Sequence, residues 1–224
     1  MKTRSLLVVP VLAAIHVAFA QGVVEDNRAW LNINGTGKIS KDWTWYGEFQ
    51  PRFRDNSSKL DQLTLRVAAI QRISPRLSVA YGYGRITNYR PAGDVHEDRL
   101  WQMVTYNPPA LGPVNPQLRL RLEQRMVDSG SDTGWRVRLQ ARGTRPIEGT
   151  KWSVFVSNEY LYNLNSTDWG ATRGFDQNRF SLGLGYQTSK QVRVEFGYLN
   201  QYSRGGARAD RSNHVVFFTT VFSF

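Results

Sequence analysis

Arginine and glutamate are the side chains of this sequence best placed to do chemistry, and they recur at a spacing of two. In Leu118, Arg119, Leu120, Arg121, Leu122, Glu123 every apolar residue is followed by a charged one, which puts the charges on one face of an extended strand. Glu48, Glu97, Glu123, Glu159 and Glu195 fall on or near such faces, with Arg52, Arg66, Arg99, Arg119, Arg121, Arg125, Arg136, Arg138, Arg142, Arg179 and Arg193. Opposed residues on paired strands lie about 4.5–5.5 Å apart, and a planar guanidinium suits two-point pairing with a carboxylate. Two readings stay open. Either the pairs fill a narrow barrel and hold its shape, or the arginines in excess line a water-filled path that favours anionic solutes.

Other chemistry is sparser. Beyond residue 20 the histidines are His96, beside Asp94, Glu97 and Asp98, and His214, in Ser212-Asn213-His214. Both are expected near outer strand ends, where an outer-membrane lipid hydrolase or protease would set a histidine base against Ser or Asp. Neither sits in a recognisable catalytic motif, so no catalytic residue, metal ligand or cofactor is assigned. Arg204, Arg208 and Arg211 suit contact with lipopolysaccharide phosphates, an adhesive or surface role, and equally an ordinary solvated loop. Gly82, Gly84, Gly183, Gly185 and Gly197 read as places where strands bend or bulky neighbours need room, because no helix N-terminus follows them.

These side chains need strands to hold them. Alternating segments bounded by turn residues cover roughly 28–39, 42–54, 61–73, 76–89, 96–106, 117–127, 135–145, 151–163, 175–187, 191–203 and 212–224. Many exceed the roughly 5–6 residues usual in soluble sheets and reach the 9–11 that a tilted membrane-crossing strand requires. In the seventh, Trp135, Val137, Leu139 and Ala141 oppose Arg136, Arg138, Gln140 and Arg142. Turning the arginines to lipid would cost about 2–4 kcal/mol each near the midplane, so that face points inward. Bacterial single-chain barrels normally have an even strand number, so ten or twelve strands are expected, although the segments number eleven.

Counted back from Phe224, the connections at 187–190, 146–150, 74–76 and 40–42 are short, and those at 163–174, 128–134 and 204–211 are longer. This is the asymmetry of periplasmic turns and extracellular loops. The proline-rich connection at 107–116 is the exception, long yet on the short-turn side. Trp43, Trp45, Trp152, Tyr106 and Tyr186 on one side, and Phe53, Trp135, Tyr198 and Tyr202 on the other, suit two interfacial girdles.

The N-terminus carries a basic start (Lys2, Arg4), an apolar run from Leu6 to Val17 and the small-residue site Ala18-Phe19-Ala20, the parts of a cleaved export signal. Residues 1–20 are therefore expected to be removed, leaving 21–224 as one barrel domain with net charge reduced from +11 to +9. No later apolar stretch is long enough for a membrane-spanning helix. With no cysteine in the chain, disulfides, thiolate metal sites and an N-terminal lipid anchor are excluded. The arginines alternate along strands instead of clustering among exposed aromatics, which argues against nucleic acid as a partner. Oligomeric state has no signature.

At the C-terminus Val216, Phe218, Thr220, Phe222 and Phe224 share one face. Such an ending resembles the recognition signal read by the barrel-assembly machinery of the outer membrane. Further pieces are Trp30, Glu48-Phe49-Gln50-Pro51-Arg52, Glu97-Asp98-Arg99-Leu100-Trp101-Gln102, Arg119 through Arg125, Asn158-Glu159, Gln177-Asn178-Arg179 and Gly197-Tyr198. In order and spacing they resemble the DUF2490 family of outer-membrane proteins over nearly all of the chain after residue 20. The resemblance implies a β-barrel envelope protein and assigns no catalytic residue. The expectation is an all-β, transmembrane antiparallel barrel in the bacterial outer membrane, passing small solutes or serving envelope structure. The alternative fold is a soluble periplasmic barrel or sandwich with its apolar face inward.

Overall fold

The computed structural model describes residues 22–206 and 209–224. The expected signal segment, and Arg208 of the loop cluster, lie outside the described residues. Eleven strands close into a barrel: β1 (Val24–Lys38), β2 (Trp43–Arg54), β3 (Lys59–Arg72), β4 (Leu77–Asn88), β5 (Val95–Tyr106), β6 (Asn115–Val127), β7 (Thr133–Pro146), β8 (Trp152–Asn163), β9 (Gly174–Gln187), β10 (Val192–Ser203) and β11 (Arg211–Ser223). Every strand pairs antiparallel with its chain neighbour, except across the closing seam.

The expectation of ten or twelve strands is corrected here. An odd number of alternating strands leaves the first and last pointing the same way. β1 and β11 accordingly pair in parallel, from Val24 opposite Arg211 to Thr36 opposite Ser223. The even-number rule assumes an antiparallel closure, whereas a parallel ladder also satisfies the backbone donors and acceptors of both edges. β1 is a full strand of 15 residues. It starts before the alternating segment recognised in the sequence, because Glu25, Asp26 and Asn27 break the apolar rhythm.

Connections 39–42, 73–76, 107–114, 147–151 and 188–191 gather at one end of the barrel, with Phe224. Connections 55–58, 89–94, 128–132 and 164–173, with 204–206 and 209–210, gather at the other, where Val24 begins. These are called the short-turn end and the loop end. The 107–114 connection is long as expected, and a Leu111–Val114 bridge folds it into a small hairpin.

Outward positions carry exposed Leu31, Ile33, Phe49, Leu65, Val67, Leu118, Leu120, Leu139, Val156, Leu182 and Phe218, while Glu97, Glu123, Arg99 and Arg136 are buried inside. The charged face is the inner one. This disposes of the alternative in which the apolar face turns inward. The buried apolar part of the interior is small: Trp30, Ala80, Ile86, Trp101, Phe155, Leu161 and Val215.

The glycines do make room for neighbours. Gly82 sits opposite Trp101 across the β4–β5 ladder, and the buried indole lies where any other residue would carry its Cβ. Gly183 does the same beneath Phe155. Gly82→Val therefore displaces Trp101 and is expected to cost about 1–3 kcal/mol, read as a fall in the urea midpoint of the folded protein. An unchanged midpoint would refute this packing.

Candidate functional site

Strand register decides which charges meet. Glu123 on β6 stands opposite Arg136 on β7. Its carboxylate accepts from Arg136 Nε (2.9 Å) and Nη2 (2.6 Å), and from Arg138 Nη1 (2.8 Å). Arg138 continues to Glu159 on β8 through Nε (2.9 Å) and Nη2 (2.5 Å), and Arg179 on β9 reaches the same carboxylate at 3.4 Å. Glu97 on β5 accepts two bonds from Arg99 (2.6 and 2.7 Å) and two from Arg125 on β6 (2.5 and 3.3 Å). On the opposite wall Arg66 donates to Glu48 at 2.6 Å, and the Tyr46 hydroxyl donates to the second oxygen of that carboxylate at 2.5 Å.

In this network Glu97, Arg99, Glu123, Arg125 and Arg136 occupy the half of the interior nearer the loop end, and the other members border the cavity below. It is continued around the wall by Gln177, Gln201 and Asn213, bonded in series at 2.9 and 3.2 Å, and by Arg28, whose Nη1 lies 2.9 Å from Asp61. Above it the 164–173 loop folds over the 128–132 loop. Asp168 accepts the backbone N–H groups of Ser131 (2.7 Å) and Asp132 (3.2 Å), and the Trp169 indole lies 5.0 Å from the Arg125 guanidinium.

Toward the short-turn end the interior opens into a cavity of about 1080 Å³ that reaches Asn107, Pro108, Thr150 and Lys151. Arg52, Arg66, Arg119, Arg121, Arg138, Arg142, Arg179, Arg193 and Lys151 line it against Glu48, Glu159 and Glu195. Aromatic rings carry several of these cations: Arg52 over Trp30 at 3.9 Å, Arg121 over Trp101 at 4.4 Å and Arg142 over Phe155 at 3.8 Å. Glu195 accepts from both Arg142 (2.7 Å) and Arg193 (2.9 Å).

All the lumen candidates of the sequence reading face the interior, and the structure divides them. Glu97, Arg99, Glu123, Arg125 and Arg136 belong to the filled half and do not line the cavity; the others do. Other candidate groups are separated. The cluster around His96 is split by alternation, since Glu97 turns inward to its arginines while Asp98, on the outer face, bonds Arg85 at 2.6 Å and Tyr83. His214 meets Tyr198 at 2.6 Å on the outer face, and the Ser212 hydroxyl is bonded to Asn200 instead. Among the described residues no group of His, Asp or Glu is gathered as a metal site. Arg204 and Arg211 are both at the loop end. The sequence reading did not single out Trp169, Phe155 or Lys151 for the interior. Alternation marks the facing of Phe155, but nothing in the sequence marks how the loop carrying Trp169 folds over.

The segments that carry the family resemblance are those whose inward side chains build this interior: Glu48 to Arg52, Glu97 to Trp101, Arg119 to Arg125, Glu159 and Arg179. The family described as "Protein of unknown function (DUF2490)" matches residues 27–213. The chain belongs to DUF2490. A relative in Methylorubrum extorquens, an uncharacterized protein, is 32% identical over 218 residues, covering 96% of this chain and 95% of its own. The DUF2490 match runs from within β1 to the start of β11 and so spans the whole network and all of the chamber except its β11 lining, Phe217, Thr219 and Val221.

Two outcomes follow from this geometry. Removing one member of a buried, shared ion pair typically costs about 3–5 kcal/mol, so Glu123→Ala is expected to lower unfolding stability in urea by that order. Lys59→Ala breaks only the exposed Asp55 pair, and its expected change is within about 0.5 kcal/mol. Equal effects would refute the network's role.

Hydrogen bonds from the Ser131 and Asp132 amides hold the Asp168 carboxyl below its ordinary value. A depressed carboxylate contributes its stabilisation above the unfolded value, near 3.9, and loses it as pH falls through the folded one. Amide exchange at Ser131 and Asp132 is therefore expected to stay slow from neutral pH down to about pH 4 and to accelerate, relative to Asp168→Asn, only below it. Convergence of the two proteins well above that pH would contradict the assignment.

Proposed function

We propose that this protein is an outer-membrane β-barrel sealed in its outer half, with an anion-attracting chamber open to the periplasm. Support for the membrane comes from the band of exposed leucine, valine, isoleucine and phenylalanine around a closed barrel whose strands run 12–15 residues. A soluble protein rarely leaves so much apolar surface uncovered. In lipid only a closed ladder leaves no unpaired backbone edge. The short turns then lie in the periplasm, and Arg204 and Arg211 meet the lipopolysaccharide side. Phe224 ends the strand that the assembly machinery would engage.

The observation that carries the functional reading is the contrast between the two halves of the interior. Glu123 and Arg136, with 0% and 3% exposure, are themselves out of contact with water in the loop-end half, whereas the chamber beyond them is wide and rich in guanidinium groups. Such a barrel receives anionic solutes from the periplasmic side without being a standing pore.

Planar-bilayer recording of the purified protein checks this. The wild-type protein is expected to insert without steady conductance, and joint replacement of Glu123, Arg136 and Trp169 by alanine to admit an anion-selective current. A steady open-channel conductance from the wild type would overturn the sealed reading. Recovery of the processed chain as a freely dissolved periplasmic protein would overturn the membrane assignment.

A further inference from the structure

The chamber holds more hydrogen-bond donors than the protein uses. Arg119 has one bond among the described residues, from Nη1 to Gln140 Oε1 at 3.4 Å, and its buried Nε is without a partner. Arg52 gives Nε (3.0 Å) and Nη2 (2.6 Å) to Gln50. Neither arginine has a carboxylate within ion-pair distance among the described residues. The indole N–H groups of Trp30 and Trp101, each more than nine-tenths buried, and Arg179 Nε are likewise unpartnered. All these residues line the same cavity.

Buried donors without acceptors, beside cations without counter-charges, are costly in a protein interior. Water in the cavity does not reach these covered atoms and leaves the excess positive charge unanswered. An oxyanion answers the charge, and the donors once the side chains covering them shift to admit it. The donors form two groups on different walls: Trp30 and Arg52 on β1 and β2, with Arg179 5.5 Å from the same indole, and Trp101 and Arg119 on β5 and β6. One small anion cannot engage both groups, and the cavity, about 1080 Å³, is as large as a binding site for a sizeable small molecule.

We infer that the chamber binds a soluble solute carrying two or more carboxylate or phosphate groups, one held at the Trp30–Arg52 wall and another at the Trp101–Arg119 wall. The inference rests on the reading of the chamber as open at the short-turn end, and it adds the class of ligand.

Calorimetry on the detergent-solubilised, full-length processed chain at low salt tests it, with inorganic pyrophosphate and citrate as probes and glucose as the uncharged control. At least one anion is expected to bind saturably and the other to compete, their ranking telling phosphate from carboxylate. Arg119→Gln, Arg52→Gln and the milder Trp101→Phe, which keeps the ring and removes the N–H, are each expected to weaken binding, the arginine changes by roughly tenfold or more. Arg28→Gln, at the loop end and outside the cavity, is expected to bind as the wild type does. Circular dichroism establishes that each variant retains its strands; should an arginine variant fail to fold, Trp101→Phe carries the test. Absence of saturable binding by both probes at millimolar concentration, or binding indifferent to every chamber substitution that folds, would overturn the inference. The bilayer result stands or falls separately, because a sealed barrel without a ligand still fails to conduct.

Discussion

A carboxylate shared between two guanidinium groups is the unit on which this interior depends. Glu123 is divided between Arg136 and Arg138, Glu97 between Arg99 and Arg125, Glu159 between Arg138 and Arg179, and Glu195 between Arg142 and Arg193. The barrel encloses its charges, so each must find a partner on the inner face, across a strand boundary or two residues along its own strand, and burial makes a missing partner expensive. Sharing satisfies most of them with few carboxylates. Its arithmetic also guarantees a surplus of positive charge, and the surplus collects where the interior is hollow.

Hollow and filled halves are built on the same alternating face. They differ in the volume of the inward side chains. Around the middle and toward the loop end these are arginine, glutamate, glutamine and tryptophan, whose reach spans the narrow interior. Toward the short turns Ser78, Ser153, Ser157, Ser181 and Thr219 take many inward positions. Short hydroxyl side chains cannot meet across a barrel of this width, so space remains and the arginines among them project into it.

Much of this was legible in the sequence, since a period of two states which residues share a face and the cost of arginine in lipid states which face is inward. Strand positions and the facing of every lumen candidate follow from those two facts. Alternation is silent about depth along the barrel axis, so it could not separate Glu123 in the filled half from Glu195 beside the cavity. It also warned against treating sequence neighbours as spatial ones, a warning that the acidic residues around His96 illustrate: Glu97 and Asp98 are adjacent in the chain and lie on opposite sides of the wall. The strand count went astray at β1, where the parity rule outweighed an alternating segment that was plainly present. The docking of Trp169 over Arg125 depends on a loop whose path no local pattern encodes.

Ten of the eleven ladders join strands adjacent in the chain, and the remaining one joins Val24 to Arg211 and its successors. Hairpins form from near neighbours, whereas this last ladder has to wait for the two termini to find each other, and contacts at such separation are slow to form. Until then the sheet is an open ribbon with two raw edges, each able to recruit a strand from another molecule. The vulnerable species of this protein is therefore the nearly finished, unzipped sheet, and the rate of its final closure governs how much of the chain escapes aggregation.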